Sequence, residues 1–376
     1  MARAVLVTGA TGALGPHVVS DLLRDRRTDR VAVLMRPGRH WDERCRHLRA
    51  SLTHLLKLDG YEGALADLTF VSGDLGTGPG LDAGATALSG DVAVIVHAGA
   101  STRFAAPIDE LRAVNVHGTR RLLDFARGCR RLEQFLFVST VYVAGTRTGV
   151  IAEDARDEPE SFVNPYERTK HEAERLVAGA GLPARIARLS TCLGHSSGYV
   201  HRFGALHQCL RWLMRGLVPV VPGSDDSRVD LIPTDVAGRW IARAASMPVH
   251  VTEIHHVAAG AAAAPLTELI QTAVDEIRLR HTRWIEPPLI TDAETYALFE
   301  RTVAHSRDPL FARVLHVANS FFPTLMYPKV YETRRAEELW GGPLPVSNWQ
   351  AALRNVIGYG CSREWRGSRG VKGAYA

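Results

Sequence analysis

Residues 7–15 read Val-Thr-Gly-Ala-Thr-Gly-Ala-Leu-Gly, "VTGATGALG", and close the apolar run "AVLV" that begins at Ala4. A β-rich run, a turn with glycine at positions 9, 12 and 15, and then an amphipathic stretch from Ala13 to Arg27 describe a strand, a tight loop and a helix. Glycine permits the sharp turn and lets the backbone approach a pyrophosphate, whose charge is favoured by the amides and dipole at the start of the helix. The reading is a dinucleotide-binding loop made by Gly9, Thr11, Gly12, Ala13, Leu14 and Gly15.

Outward from this loop the same alternation repeats. The β-rich runs "RVAVLMR", "LTFVSGD", "DVAVIVHAG" and "QFLFVST" are separated by helical stretches at Trp41–Lys57 and Leu111–Arg127. Later come a helix from Pro165 to Ala178, a strand "ARIARLS", a helix around Phe203–Arg215, the strand-then-helix "VDLIPTDVAGRWIARAA", and a last sheet strand in "VTEIHHVA". Alternating strands and helices predict an α/β fold, a doubly wound parallel Rossmann sheet with helices on both faces. The continuous apolar character of "DVAVIVHA" fits a strand buried on both sides. Beyond it, helices near Leu266–Leu279, Asp292–Val303, Pro309–Asn319 and Ser347–Val356 alternate with proline-rich turns. The expected organisation is a dinucleotide-binding domain over residues 1–260, a smaller, mostly helical substrate lobe over 261–361 to which 195–232 contribute, and a flexible glycine-rich tail over 362–376.

The second strand ends "VLMRPGR". A carboxylate there would bind the ribose hydroxyls of NAD, whereas Arg36, with Arg39 as a second contact, suits the 2′-phosphate of NADPH. Asp74 follows the third strand and faces the adenine; Ala98, Gly99 and Ala100 after the fourth are small where a flat cofactor passes close to backbone. "NPYERTK", residues 164–170, places a lysine one helical turn after a tyrosine. Lysine is rare here: only Lys57, Lys170, Lys329 and Lys372 occur among 45 basic side chains. An ammonium lowers a neighbouring phenol's pKa and can itself titrate, which a guanidinium cannot. With Ser139 and Thr140 ending the fifth strand, the reading is a hydride-transfer site: a hydroxyl orients a carbonyl, Tyr166 protonates its oxygen, and Lys170 tunes the tyrosine and holds the nicotinamide ribose. Tyr142 has no lysine four residues on and is set aside.

Composition bounds the rest. The 376 residues are 46% hydrophobic and 23% charged, ordinary for a packed protein, and no run is apolar and long enough to span a bilayer; the expectation is a cytoplasmic protein. Five widely spaced cysteines without a Cys-x-x-Cys fit reduced thiols, and sixteen histidines without His-Glu-x-x-His spacing give no metal site. The net charge of +5 equals the excess within Arg24–Ala50, where nine arginines face four carboxylates. With one aromatic in that segment, Trp41, nucleic acid is not the expected partner; cofactor phosphates or an acidic protein are.

These motifs resemble the extended short-chain dehydrogenase/reductases, from residue 3 to about 260, and within them the thioester reductase branch. The resemblance rests on "RPGRHWDERCRHLRASLTHLLKL", "VSGDLGTGPGLD", "HAGASTRFAAPIDELRAVNVHGTRRLLDFA", "FVSTVYVAG", "FVNPYERTKHEAERLV" and "RVDLIPTDVA". It implies a Thr140, Tyr166 and Lys170 triad, NADPH as cofactor, and Leu75, Asn115 and Leu189 within the cofactor site. It also implies reduction of an acyl thioester of coenzyme A or of a carrier protein to an aldehyde, in some members onward to an alcohol, the substrate arriving in trans. Two features depart from the family pattern: Leu189 stands where a proline is usual, and His195 lies near an expected acidic residue. Reduction of a free ketone by the same triad and a catalytically silent dinucleotide sensor are the competing readings. A sugar-nucleotide dehydratase would require acidic residues beside Thr140, where Val141 stands.

Overall fold

The computed structural model describes residues 3–25, 27–61, 65, 67–76, 80–81, 83–154, 159–280, 284–306 and 309–365. Its central sheet contains seven parallel strands: β1 (Ala4–Thr8), β2 (Arg30–Met35), β3 (Leu68–Asp74), β4 (Val92–His97), β5 (Gln134–Thr140), β6 (Ala184–Leu189) and β7 (Glu253–Val257). They lie in the order β7-β6-β5-β4-β1-β2-β3, and the two-residue strand Gly80–Leu81 runs antiparallel along the β3 edge. β1, β4, β5 and β6 are buried at every position, which is why β1 and β4 are apolar with almost no alternation, while β5 and β6 also bury Gln134, Arg185 and Arg188. The strand order reverses between β1 and β4, opening a crevice at the carboxyl ends of both.

Besides the short helix Ala83–Ala87, the helices are α1 (Gly15–Arg24), α2 (Trp41–Leu58), α3 (Ile108–Asn115), α4 (His117–Gly128), α5 (Pro165–Ala178), α6 (Ala205–Met214), α7 (Thr234–Ala245), α8 (Leu266–Arg280), α9 (Ala293–Ser306), α10 (Pro309–Ala318), α11 (Arg334–Trp340) and α12 (Trp349–Ser362). Val18, Val19 and Leu22 of α1, Leu48 and Leu52 of α2, and Trp240 of α7 pack on one sheet face. Leu122 and Leu123 of α4 with Ala173 and Val177 of α5 pack on the other. The helix expected over Leu111–Arg127 is two, interrupted at Val116. There Gly118 comes so close to Leu75 that a Cβ would lie 3.0 Å from its carbonyl oxygen.

A second apolar cluster draws on α6, α8, α9, α10 and α12. The carboxyl-terminal third does not stay within it. Lys329–Tyr331 pairs in parallel with Gly149–Ile151, and α11, which the sequence did not announce, lies on α7, where Trp240 Nε1–H donates to the Ala336 carbonyl at 2.9 Å. Buried Glu153 anchors this return by accepting from the backbone amides of His256, Arg335 and Ala336. α12 runs into the segment expected as a tail; residues 366–376 lie outside the described residues, as does Arg26 of the arginine-rich segment. Among the described residues no helix is long and apolar enough to cross a membrane.

Candidate active site

The three glycines of the first loop have different jobs. Gly9 has φ +77°, and a Cβ on it would sit 2.6 Å from the Ala98 carbonyl; one on Gly15 would sit 2.2 Å from the Gly9 oxygen. Chain packing alone therefore demands glycine at both. Gly12 has an ordinary φ, and a Cβ there would meet only the Gly9 oxygen at 3.2 Å, so its bare face opens onto the cleft. α1 begins immediately after with no side-chain cap; Pro16 has no amide and His17 N–H donates to the Leu14 carbonyl at 3.0 Å, which leaves the Gly15 amide and the helix dipole to an anion.

A line of hydrogen bonds fixes the neighbouring loop. Gly99 N–H donates to Thr8 Oγ1 at 3.0 Å, Thr8 Oγ1 lies 2.7 Å from His97 Nδ1, His97 Nε2 lies 3.0 Å from Thr119 Oγ1, and Thr119 donates to the Asn115 carbonyl at 2.6 Å. Because the Thr119 proton is committed to Asn115, His97 must donate from Nε2 and accept at Nδ1, the neutral tautomer. Burial pulls its pKa down to about 3, in agreement. Asn115 also accepts from Ser101 N–H and donates to the Ser101 carbonyl and to Thr169. It positions the Ala98–Ser101 wall from behind.

α5 carries the expected acid and cation on one face. A reciprocal cap fixes its first turn: Asn164 Oδ1 accepts from Glu167 N–H, and Glu167 Oε2 accepts from Val163 N–H. The Asn164 amide also donates to the Ser320 carbonyl, joining the helix start to the second cluster. Tyr166 packs edge-on against Phe104, 4.9 Å between ring centroids. One turn on, Lys170 Nζ donates to the Val138 carbonyl at 2.8 Å and lies 3.9 Å from the Phe137 ring centroid. That contact pins the ammonium to the strand whose end carries Thr140. The Thr140 hydroxyl accepts from Tyr142 N–H at 3.2 Å, which leaves its proton to donate. Ser139 Oγ is buried and has no partner among the described residues.

Burial dominates the electrostatics. It pushes the Tyr166 phenol well above its usual range and pulls Lys170 down to about 7, partly offset by Glu174. The lowering of the tyrosine by Lys170 expected from sequence is thus outweighed by the water-poor setting, which suppresses the ammonium as well. Burial likewise raises Glu167 to about 7.

One cavity of about 680 Å³ gathers most of the expected residues: Gly9, Gly12, Ala13, Leu14, Gly15, Arg36, Ala98, Ala100, Thr140, Tyr166, Lys170 and Leu189 line it. The exposed Arg36 guanidinium has no partner among the described residues, while its carbonyl accepts from Arg44 at 2.5 Å. Thr11, Arg39, Asp74, Leu75, Gly99 and Asn115 are not on the cavity wall. Asp74 accepts from Gly76 N–H, and the Leu75 carbonyl accepts from Arg121. Tyr142, set aside in sequence for want of a lysine, lines the wall with its hydroxyl 2.7 Å from that of Thr191; Thr191, Cys192 and Arg202 of the same wall were missed. No spacing rule marks them, because β5 and the loop after β6 meet only in the fold. His195 is elsewhere, stacked on His17 at 5.9 Å with its Nδ1 2.8 Å from Ser197 Oγ.

Residues 7–241 match the family described as Male sterility protein, an NAD-binding family. Glycine betaine reductase ATRR of Emericella nidulans is 28% identical over 68% of this chain and 21% of its own length. The putative fatty acyl-CoA reductase CG8303 of Drosophila melanogaster is 28% identical over 61% and 49%. The chain thus spans half or less of these relatives. The crystal structure of the terminal R domain from the myxalamid PKS-NRPS pathway superposes with a TM-score of 0.77 at 25% identity, covering 97% of this chain and 92% of that one. A match across more than half of the sequence, on a glycine-loop Rossmann sheet whose crevice holds Tyr166 and Lys170, places the chain in the Male sterility protein family of NAD(P)-binding oxidoreductases.

Proposed function

We propose that this chain is an NADPH-dependent thioester reductase that converts an acyl group carried on coenzyme A or on the phosphopantetheine of an acidic carrier protein into an aldehyde, and then into an alcohol when the aldehyde stays bound. The observation that carries the reading is the sharing of one cavity by the glycine loop, the Thr140, Tyr166 and Lys170 set, and a second compartment on the side of α6 and α8. The bare face of Gly12, on a loop that Gly9 and Gly15 hold tight, fits a pyrophosphate, and the unpartnered Arg36 fits a 2′-phosphate.

The bound nicotinamide would supply hydride to the thioester carbonyl carbon, and the resulting hemithioacetal would then break its C–S bond, releasing the thiol of the carrier and the aldehyde; reduction to the alcohol would take a second NADPH. Thr140, its oxygen already occupied by Tyr142 N–H, donates its proton to the carbonyl oxygen and orients it. Tyr166, a phenol that burial pushes still further above its usual range, keeps its proton at pH 7 and donates to the same oxygen as negative charge develops there. Lys170, fixed on Val138, is only partly protonated near pH 7 and supplies positive charge to the pair in that protonated form. The cluster built on α6, α8, α9, α10 and α12 acts as the substrate lobe, without the 329–340 segment that returns to the Rossmann domain, and Asn164 couples it to the helix that holds Tyr166. The reading makes the partner a small thioester or its carrier, not nucleic acid, and the working compartment the cytoplasm.

The test is to supply the purified chain with acyl-CoA and acyl-carrier thioesters or with free ketones, under NADPH or NADH, and to trap the product. Thioester-dependent NADPH oxidation with aldehyde or alcohol release supports the reading. Oxidation with free ketones alone replaces it by a ketone reductase.

A further inference from the structure

Resting on that reading, we infer that Glu167 is the inlet for the proton that each reduction consumes: it returns a proton to Tyr166 after turnover, while Lys329 beside it balances the charge left behind. Forming an aldehyde and a thiol from a thioester takes one hydride from NADPH and one proton. Tyr166 gives that proton and is left as a phenolate, which its burial disfavours, so it must be refilled before the next hydride arrives.

The other ionisable groups around the phenol have no way out to water. Lys170 is 2% exposed, its Nζ committed to the Val138 carbonyl and set against the Phe137 ring. His97 is buried, and both of its nitrogens are engaged with threonines. Glu167 differs. It lines the same cavity as Tyr166 and is the one buried carboxyl of that wall among the described residues. Its place in the first turn of α5 accounts for a cap but not for burial. Oε2 accepts from Val163 N–H at 3.0 Å and Oε1 from the Asn164 side-chain amide at 3.1 Å, which leaves a further lone pair on each oxygen, or the acid proton, for the cavity.

Lys329 links this carboxyl to the surface. It is one of four lysines in the chain, stands on the return strand Lys329–Tyr331, donates from Nζ to the Gly145 carbonyl at 2.6 Å and is half-buried. The groups whose charge reaches Glu167 are Lys329, with Arg147 behind it, and the phenols of Tyr142, Tyr166 and Tyr331. Burial raises the carboxyl to about 7 against the pull of Lys329, and lowers Lys329 to about 8 against the pull of Glu167. The transfer balances. The Glu167 O–H bond breaks as the Tyr166 O–H bond forms, from a carboxylic acid to the anion of a much weaker acid. The carboxylate, facing the ammonium, then takes a proton from solvent, and no electron moves.

The experiment compares the first turnover with the steady state, because Tyr166 enters the first one already protonated. Substrates are the best of a series of straight-chain acyl-CoA thioesters and, in parallel, 2-octanone, both with NADPH. Glu167→Gln keeps a residue that serves this place in a helix cap, Lys329→Met leaves the cap untouched, and Lys329→Arg keeps the positive charge. Each is checked for an intact melting transition. In Glu167→Gln the first-turnover rate should stay within about twofold of wild type, while steady-state kcat falls about tenfold or more at about pH 8 and gains a solvent isotope effect in D2O. The deficit should shrink toward about pH 6, where solvent protons are more plentiful. Lys329→Met should show the same split in weaker form, and Lys329→Arg should restore the steady state. Infrared titration of the chain without substrate, wild type minus Glu167→Gln, should leave one carboxylic-acid band that fades around pH 7. Equal losses in both phases, an unchanged steady state, or no such band overturns the inference while leaving the reductase reading intact. If 2-octanone alone is reduced and the split appears there, the thioester reading falls and the inlet stands. If neither kind of substrate is reduced, both fall.

Discussion

Tyr166 and Arg36 divide the proposed work between reaction and recognition, and each can be removed without the other. Tyr166→Phe keeps the edge-on packing on Phe104 and deletes the hydroxyl alone. Turnover is expected to fall ~10²-fold or more while the NADPH dissociation constant stays within about twofold, since general acids contribute that much to rate. Single-turnover rates and a fluorescence titration measure the two quantities, and retention of more than about a tenth of the rate sinks the assignment. Arg36 is exposed at the cavity rim with its backbone held by Arg44, so Arg36→Asp changes charge without disturbing the turn. It removes a guanidinium suited to a 2′-phosphate and adds a repelling carboxylate that suits ribose hydroxyls. The NADPH Michaelis constant should rise far more than kcat falls, and the NADPH-to-NADH preference should reverse or vanish. A wild type that prefers NADH, or an unchanged ratio in the variant, would refute the role.

In the first strand-loop-helix unit the glycines separate folding from binding. Gly15→Ala should unfold or strongly destabilise the protein, because its Cβ would lie 2.2 Å from the Gly9 oxygen. Gly12→Ala should leave the melting temperature within a few degrees yet weaken NADPH binding by at least tenfold, because its new methyl faces the cleft. Equal loss of stability in both would show that the loop is constrained by the chain alone. This unit was legible in sequence because every signal in it is local, and so were the buried strands, whose apolar runs mark them without any partner. The pairing of Tyr166 and Lys170 was legible because helical spacing brings them together. α11 was not: it has seven residues, and its anchor, Glu153, lies about 180 positions earlier in the chain. The His97 relay and the α6–α8 compartment escaped for the same reason, since each is assembled from segments that meet only after folding. The break at Val116 followed from close packing of Gly118 on Leu75, a tertiary constraint overriding a continuous helical pattern.

The interior holds an unusual load of ionisable groups, and their balance sets how stability responds to pH. Burial is the leading cause in every case: it pulls His17, His97 and His256 down to about 3 and His207 to about 4, and raises Asp21 and Glu167 to about 7. The histidines stay neutral in the folded protein but accept protons near pH 6.5 once unfolded, so their contribution is intact above pH 6.5 and is lost as pH falls below it. The two carboxyls act in the opposite sense, holding protons in the folded state between about pH 4.5 and 7 that the unfolded chain has released. His201, also pulled to about 4, makes five histidines, set against Asp21, Glu167 and the upward shifts of buried Glu153 and Asp230; the unfolded state is left ahead by about two protons between pH 4.5 and 6.5, so stability should drop by roughly 2–3 kcal/mol per pH unit on acidification. For a chain of this size that is a fall in melting temperature of roughly 3 °C or more per unit. Glu172, held below its usual range by Arg112, adds to the loss at the acid end. Calorimetric melting from pH 7.5 to 4.5 measures the slope. His97→Asn should flatten it, since asparagine cannot take up the proton in the unfolded chain, even though it disturbs the relay and lowers the melting temperature at every pH. A melting temperature that is level or rising toward pH 4.5 in the wild type would show that these histidines are not held neutral, and with them the proposed tautomer at His97 would fail.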